Sequence, residues 1–180
     1  MMEQGQPDRC PAPAKMTQKT ADNAPIHFRL AAEADQARLV ALVNSAFSIE
    51  TFMEGTRTDD KRLAEEMSKG SIVLAEDGSG QLLACVYAET RGVRGYLGML
   101  AVDPAHQGKG LSRQILRAAE EHLRRQGCEA VDIVVLSLRT ELPPIYRKFG
   151  YAETGIEEFH PAQRLKFGAE CHGIAMSKKL

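Results

Sequence analysis

Apolar and polar residues alternate at Ile26, Phe28 and Leu30, the two-residue period of a half-buried strand. After the acidic stretch Glu33-Ala34-Asp35 the period lengthens. Leu39, Val40, Leu42, Val43 and Phe47 recur at helical spacing. A second helix is predicted over residues 58–68, with Thr58 or Asp59 as its cap and Gly70 as its stop. Two apolar runs, 71–75 and 82–88, flank the turn-forming stretch Glu76-Asp77-Gly78-Ser79-Gly80 and predict a hairpin. Residues 91–95 turn into a further strand, 96–102, which ends at Asp103-Pro104. A glycine-rich turn follows, and then a helix with Leu111, Ile115, Leu116, Ala119 and Leu123 on one face. Its charged residues (Arg113, Arg117, Glu121, Arg124 and Arg125) lie mostly opposite, and Gly127 ends it. Beyond it the pattern predicts a β-branched strand at 131–136, a short helix at 143–149 stopped by Gly150, and strands at 151–154 and 171–176.

Strands first, then strand–helix–strand, means a mixed sheet with helices on its faces, in the α/β or α+β range. Residues 1–24 differ from the rest: Pro7, Pro11 and Pro13 stand among polar residues with almost nothing to bury. We read them as a disordered tail, with Met16 an alternative start, ahead of one domain spanning 25–180. Composition narrows the function classes. The 180 residues are 43% hydrophobic and carry a net charge of −1, which argues against a uniformly basic nucleic-acid surface. Cys10, Cys85, Cys128 and Cys171 form no paired metal motif and no disulfide framework. There is no apolar run of membrane-spanning length and no signal-peptide core. The expectation is a cytoplasmic protein with no metal, no membrane partner and no nucleic-acid partner.

The chemistry concentrates in Gln107-Gly108-Lys109-Gly110-Leu111-Ser112, between a strand and a helix. A helix N-terminus offers unpaired N–H groups and the positive end of a dipole, which suits a phosphate. A nucleoside-triphosphate loop would need Ser or Thr directly after the lysine, and Gly110 stands there. A dinucleotide fingerprint would need a third glycine where Arg113 stands. A turn that requires glycine for sterics alone is the remaining alternative.

Gln107-x-x-Gly110-x-Ser112, after a strand and Asp103-Pro104, resembles the acyl-CoA signature of the GNAT superfamily of N-acetyltransferases. Farther on, Tyr146-Arg147-Lys148-Phe149-Gly150-Tyr151 resembles that family's second landmark, correctly spaced from the first. The resemblance implies a GNAT-like fold: a mixed, mostly antiparallel sheet of about six to seven strands flanked by helices on both faces. It implies acetyl-CoA as co-substrate, its pyrophosphate over the backbone of Gly108, Lys109, Gly110, Leu111 and Ser112, with Gln107 at the turn. Pantetheine would lie along the strand end at Leu100 and Val102, and a backbone N–H of Leu100 or Ala101 would polarise the thioester carbonyl. Lys109 and Arg113 would add charge near the phosphates. Ser112 departs from the usual Gly or Ala, and Arg139 stands where an Asn is common.

The implied reaction is direct attack by a primary amine, of a small molecule or a peptide, on the thioester. Tyr146 is the candidate general acid for the departing thiolate, with Ile145 and Phe149 expected to supply the core stripe of its helix and Tyr151 expected in the core. The strand 97–100 carries no acid, so the base is open among Glu89, Glu141, His160 and His172, or no protein base at all. The acceptor pocket is expected from residues 48–60 and 157–168, which hold Glu50, Glu54, Asp59, Asp60, Glu157 and Glu158. Two other functions compete: a catalytically silent acyl-CoA-binding module, and a nucleotide-dependent oxidoreductase. A homodimer is a further open possibility.

Overall fold

Residues alternate between two apolar clusters along the central strands, and that alternation organises the molecule. Val73 and Ala75 enter one cluster while Ile72 and Leu74 enter the other; Ala84, Val86 and Ala88 separate from Cys85 and Tyr87 in the same way. The computed structural model describes residues 25–158, 165–168 and 170–180. The tail expected over 1–24, and His160, lie outside them.

The strands are β1 (His27–Leu30), β2 (Ser71–Glu76), β3 (Leu82–Arg91), β4 (Arg94–Val102), β5 (Ala130–Leu136), β6 (Ala152–Glu158) and β7 (His172–Lys179). They form one sheet in the order β1-β2-β3-β4-β5-β7-β6, in which only the β4–β5 pairing is parallel. The helices are α1 (Gln36–Ala46), α2 (Asp60–Lys69), α3 (Leu111–Arg125) and α4 (Leu142–Lys148). Leu39, Leu42 and Val43 of α1 and Leu63 of α2 complete one cluster; Leu111, Ile115, Leu116, Ala119 and Leu123 of α3 complete the other. Each large α3 side chain so buried contributes roughly 2 kcal/mol. All seven residues of the edge strand β6 are exposed.

Several ends follow from local chemistry. Asp59 caps α2 by accepting from Arg62 N–H at 2.9 Å. Helix α3 runs from Leu111 to Arg125, with Gly110 in the left-handed conformation as its N-cap. The short helix α4 differs from the sequence expectation. Ile145 is 40% exposed, whereas Tyr146 packs edge-on to Phe149 and Tyr151, with ring centroids 6.2 and 5.7 Å away. Seven residues make fewer than two turns, so the neighbours of the helix, rather than its own period, choose the buried face.

Two polar clusters anchor the ends of the sheet. Tyr151 is buried as expected, and its hydroxyl donates to Glu120 Oε1 at 2.8 Å, while Lys178 Nζ donates to Glu120 Oε2 at 2.7 Å. Removing one partner of a buried charge costs more than removing both. Lys178→Met should therefore lower the unfolding free energy by about 3 kcal/mol in chemical denaturation. Adding Glu120→Gln should recover at least half of that loss.

At the other end, the two terminal guanidinium nitrogens of Arg29, Nη1 and Nη2, donate to the buried Asp35 carboxylate, at 2.7 and 2.8 Å. Chiefly through these bonds, the Asp35 pKa falls to about 2. A depressed folded-state pKa stabilises above the unfolded value and loses that stabilisation as pH falls. Melting temperature should thus decline from about pH 4 towards pH 2, and Asp35→Asn should lower it at neutral pH while flattening that decline.

Candidate active site

Strands β4 and β5 are paired only at Arg94–Ala130, Gly95–Val131 and Tyr96–Asp132. Beyond Tyr96 they part. A second distortion lies on the opposite edge of β4. Gly98 pairs with Tyr87 and Ala101 with Cys85, so Met99 and Leu100 together face Val86. This β-bulge places Met99 at φ +49°, the left-handed region that a methionine adopts only under constraint. A cavity of about 600 Å³ opens in the gap, lined from β4 by residues including Met99, Leu100 and Val102, and from β5 by Ile133, Val134, Val135 and Leu136.

The glycine turn borders the same cavity. Gln107 and Ser112 line it, and the Gln107 side-chain amide donates to Val102 O at 3.2 Å, tying the turn to the strand end. Asp103 shapes the entry to the turn by accepting from Ala105 N–H at 2.8 Å. Gly108 and Gly110 both have positive φ (+76° and +77°), and a Cβ built on either meets nothing within 4 Å. Glycine is required there by the backbone conformation, and the space beside it is open for a ligand. Such successive N–H groups at a helix start make an anion cradle.

Of the residues singled out from sequence, Leu100, Val102, Gln107, Ser112 and Tyr146 share this cavity wall. Gly108, Lys109, Gly110 and Arg113 lie exposed on the turn and the first turn of α3. Leu111 and Ala101 have buried side chains, 4% and 1% exposed, leaving only their main chain for a ligand. Burial pushes the Tyr146 hydroxyl up to about 12, against the opposing pull of the Arg139 guanidinium.

The base and acceptor candidates separate cleanly. Glu89 pairs with Arg91 at 2.7 Å and does not line the cavity, and neither does His172. Asp59 is committed to the α2 cap and to Arg62. Glu50, Glu141 and Glu157 do line the cavity. Arg139 faces neither solvent nor an open anion site. Its side chain is 17% exposed and donates to Glu50 Oε1 at 2.9 Å and to Glu141 Oε1 at 2.6 Å. Arg57 lines the cavity from within the expected segment 48–60, although only the acids there were singled out; Phe47, Tyr96 and Met99, also in the lining, were not foreseen as site residues. Neither the bulge nor the approach of Arg57 to Phe47 (4.8 Å to the ring centroid) has a sequence signal. Among the described residues no helix is long and apolar enough to cross a membrane, and no group of three or more His, Cys, Asp or Glu residues could hold a metal.

Comparison with known proteins places this geometry in context. The chain is 28% identical over 155 residues to the mycothiol acetyltransferase of Propionibacterium freudenreichii subsp. shermanii, covering 80% of this chain and 49% of that one. It is 30% identical over 112 residues to glucosamine 6-phosphate N-acetyltransferase 1 of Oryza sativa subsp. japonica, covering 58% and 66%. The chain thus spans about half the length of the first relative and 66% of the second. A GNAT family acetyltransferase from Elizabethkingia anophelis, solved with acetyl-CoA bound, superposes with a TM-score of 0.68 at 17% identity, covering 86% of this chain and 98% of that one. The fold is therefore GNAT-like, as the sequence motifs implied. The model of the acetyltransferase (GNAT) family matches residues 37–151, well over half of the sequence, and the chain belongs to that family.

Proposed function

We propose that residues 25–180 form one catalytic domain that transfers an acetyl group from acetyl-CoA to a primary amine of a small molecule or peptide. One observation carries the reading: one cavity joins an open glycine turn, the β5-side edge of β4 left unpaired, and the half-buried Tyr146. The residues present fit the co-substrate. The turn from Gln107 to Ser112 would hold the pyrophosphate on main-chain N–H groups, with Lys109 and Arg113 beside it. The β5-side edge of β4 at Leu100 and Val102 would offer main-chain groups to the pantetheine arm as to an added strand, because β5 no longer pairs with that edge beyond Tyr96. The two relatives named above are acetyltransferases for mycothiol and for glucosamine 6-phosphate, which favours a small-molecule acceptor.

Tyr146 is the proposed general acid. Its raised pKa keeps the hydroxyl protonated at any physiological pH, which an acid requires. The same burial raises the proton affinity of a thiolate released beside it, and Arg139 stabilises the phenolate that the transfer leaves. The neutral amine nitrogen bonds to the acetyl carbon, the carbon–sulfur bond breaks, and the Tyr146 proton passes to sulfur; the proton that nitrogen loses leaves to water, and the Tyr146 phenolate regains one from water. A backbone N–H of Leu100 or Ala101 would support the oxyanion. The alternative, a silent acyl-CoA-binding module, draws on the lack of any acid in β4 from Leu97 to Leu100; turnover of any amine removes it.

Tyr146→Phe should lower kcat by about a hundredfold while leaving the acetyl-CoA Kd nearly unchanged. In the unmodified protein kcat should show no alkaline loss attributable to Tyr146 below about pH 10, because its acid form persists to about 12. Gly110→Ala places a Cβ on a left-handed residue at a cost of about 1–2 kcal/mol. It should weaken acetyl-CoA binding about tenfold by calorimetry, with kcat at saturation largely kept.

A further inference from the structure

The cavity carries more charge than acetyl transfer requires. Three carboxylates (Glu50, Glu141 and Glu157) and two guanidinium groups (Arg57 and Arg139) line it. Arg139 is shared between Glu50 and Glu141, so that trio keeps one uncompensated negative charge. The deficit falls on Glu50. Its side chain is 5% exposed, Oε1 is held by Arg139, and Oε2 is buried without a hydrogen-bond partner among the described residues. A buried carboxylate oxygen left unpaired is costly, and a cationic N–H donor relieves that cost.

Glu50 owes its place to the link between α1 and α2. A 3-10 turn, Phe47–Ile49, continues α1, and the Glu50 N–H closes it onto Phe47 O at 2.9 Å. The same link supplies Arg57. Its guanidinium lies over the Phe47 ring, half-buried; it forms no salt bridge among the described residues, and it acts on Glu66, whose carboxyl pKa it lowers against the effect of burial. A guanidinium held over an aromatic face keeps its N–H fork available to a carboxylate or phosphate. One link therefore brings a carboxylate with an unsatisfied oxygen and a guanidinium outside any salt bridge to the same cavity, seven residues apart in sequence.

We infer that the acceptor is a primary amine that also bears an anionic group: Glu50 receives the ammonium, and Arg57 receives a carboxylate or phosphate elsewhere on the same molecule. This deepens the transferase reading and rests on it. Charge selects the acceptor, and Phe47, Ile49 and Ile145 contact its apolar body. Arg139 is a positioning residue, which fixes the Glu50 carboxylate through one oxygen and leaves the other for the amine.

The test is a matched set of amines assayed by thiol release at saturating acetyl-CoA. Each pair differs by one anionic group: L-phenylalanine against 2-phenylethylamine, O-phosphoethanolamine against ethanolamine, and glucosamine 6-phosphate against glucosamine. In at least one pair the anionic member should have a kcat/KM about tenfold higher, and the pair that shows it distinguishes carboxylate from phosphate. Arg57→Met keeps the contact with Phe47 and should abolish that preference, lowering kcat/KM for the anionic member about tenfold more than for the uncharged one. Glu50→Gln should raise KM for both members alike. Uncharged members that match or exceed their anionic partners in every pair, or an anionic preference that survives Arg57→Met, would overturn the inference while leaving the transferase intact. Should no amine be turned over, the transferase reading fails. The charge pairing is then read by melting temperature of the CoA-bound protein, which the anionic amines must raise, and Arg57→Met must cancel that rise.

Discussion

The parting of β4 from β5 is the constraint on which the rest of this molecule depends. The pair is the one parallel contact in the sheet, joined by the crossover through α3. Arg94 pins its closed end, donating to Asp132 Oδ2 at 2.6 Å and to Ser177 Oγ at 2.7 Å. From that clamp the strands diverge. Main-chain N–H and C=O groups that would have formed a ladder are left facing a cavity, where they need partners. A sheet opened in its middle is stable only if something else satisfies that edge. Here the bulge at Met99 turns part of the edge, and Gln107 caps Val102 O at the far end. What is left between them is a template for an extended ligand arm.

The charged groups divide by purpose. Arg29 with Asp35, and Lys178 with Tyr151 and Glu120, are closed arrangements that hold the outer strands to their helices. The cavity group is open. Arg139 reaches from the segment after β5 to Glu50 on the α1–α2 link, 89 residues away in sequence, and joins the proposed acceptor side to the wall that carries Tyr146. The same guanidinium is near enough to Tyr146 to lower its pKa against the effect of burial.

The sequence made the regular elements readable because their burial is periodic. The apolar residues of the α3 stripe match the sequence reading, which did not foresee the buried Glu120 beside them, and the glycine turn lies between the expected strand and helix. Three features were hidden, each for a physical reason. The bulge at Met99 is imposed by pairing on one side of β4 and its absence on the other, so no residue type marks it. Helix α4 is too short for its period to outweigh its neighbours, so Tyr146 took the packed position expected of Ile145. The Glu50–Arg139 bond joins distant segments, and a single sequence holds no record of such contacts.

Strand β6 has its whole length in water and one edge without a neighbour in the sheet. Such an edge invites a second chain to zip onto it. Glu153, Glu157 and Glu158 make this one a poor host for its own copy. In an antiparallel self-pairing centred on Gly155 and Ile156, Glu153 falls opposite Glu158; shifted by one residue, it falls opposite Glu157. Like charges across a ladder repel, so the acidic residues of this edge, although Glu153 is already bonded to Arg147 at 2.9 Å, weigh against such stacking.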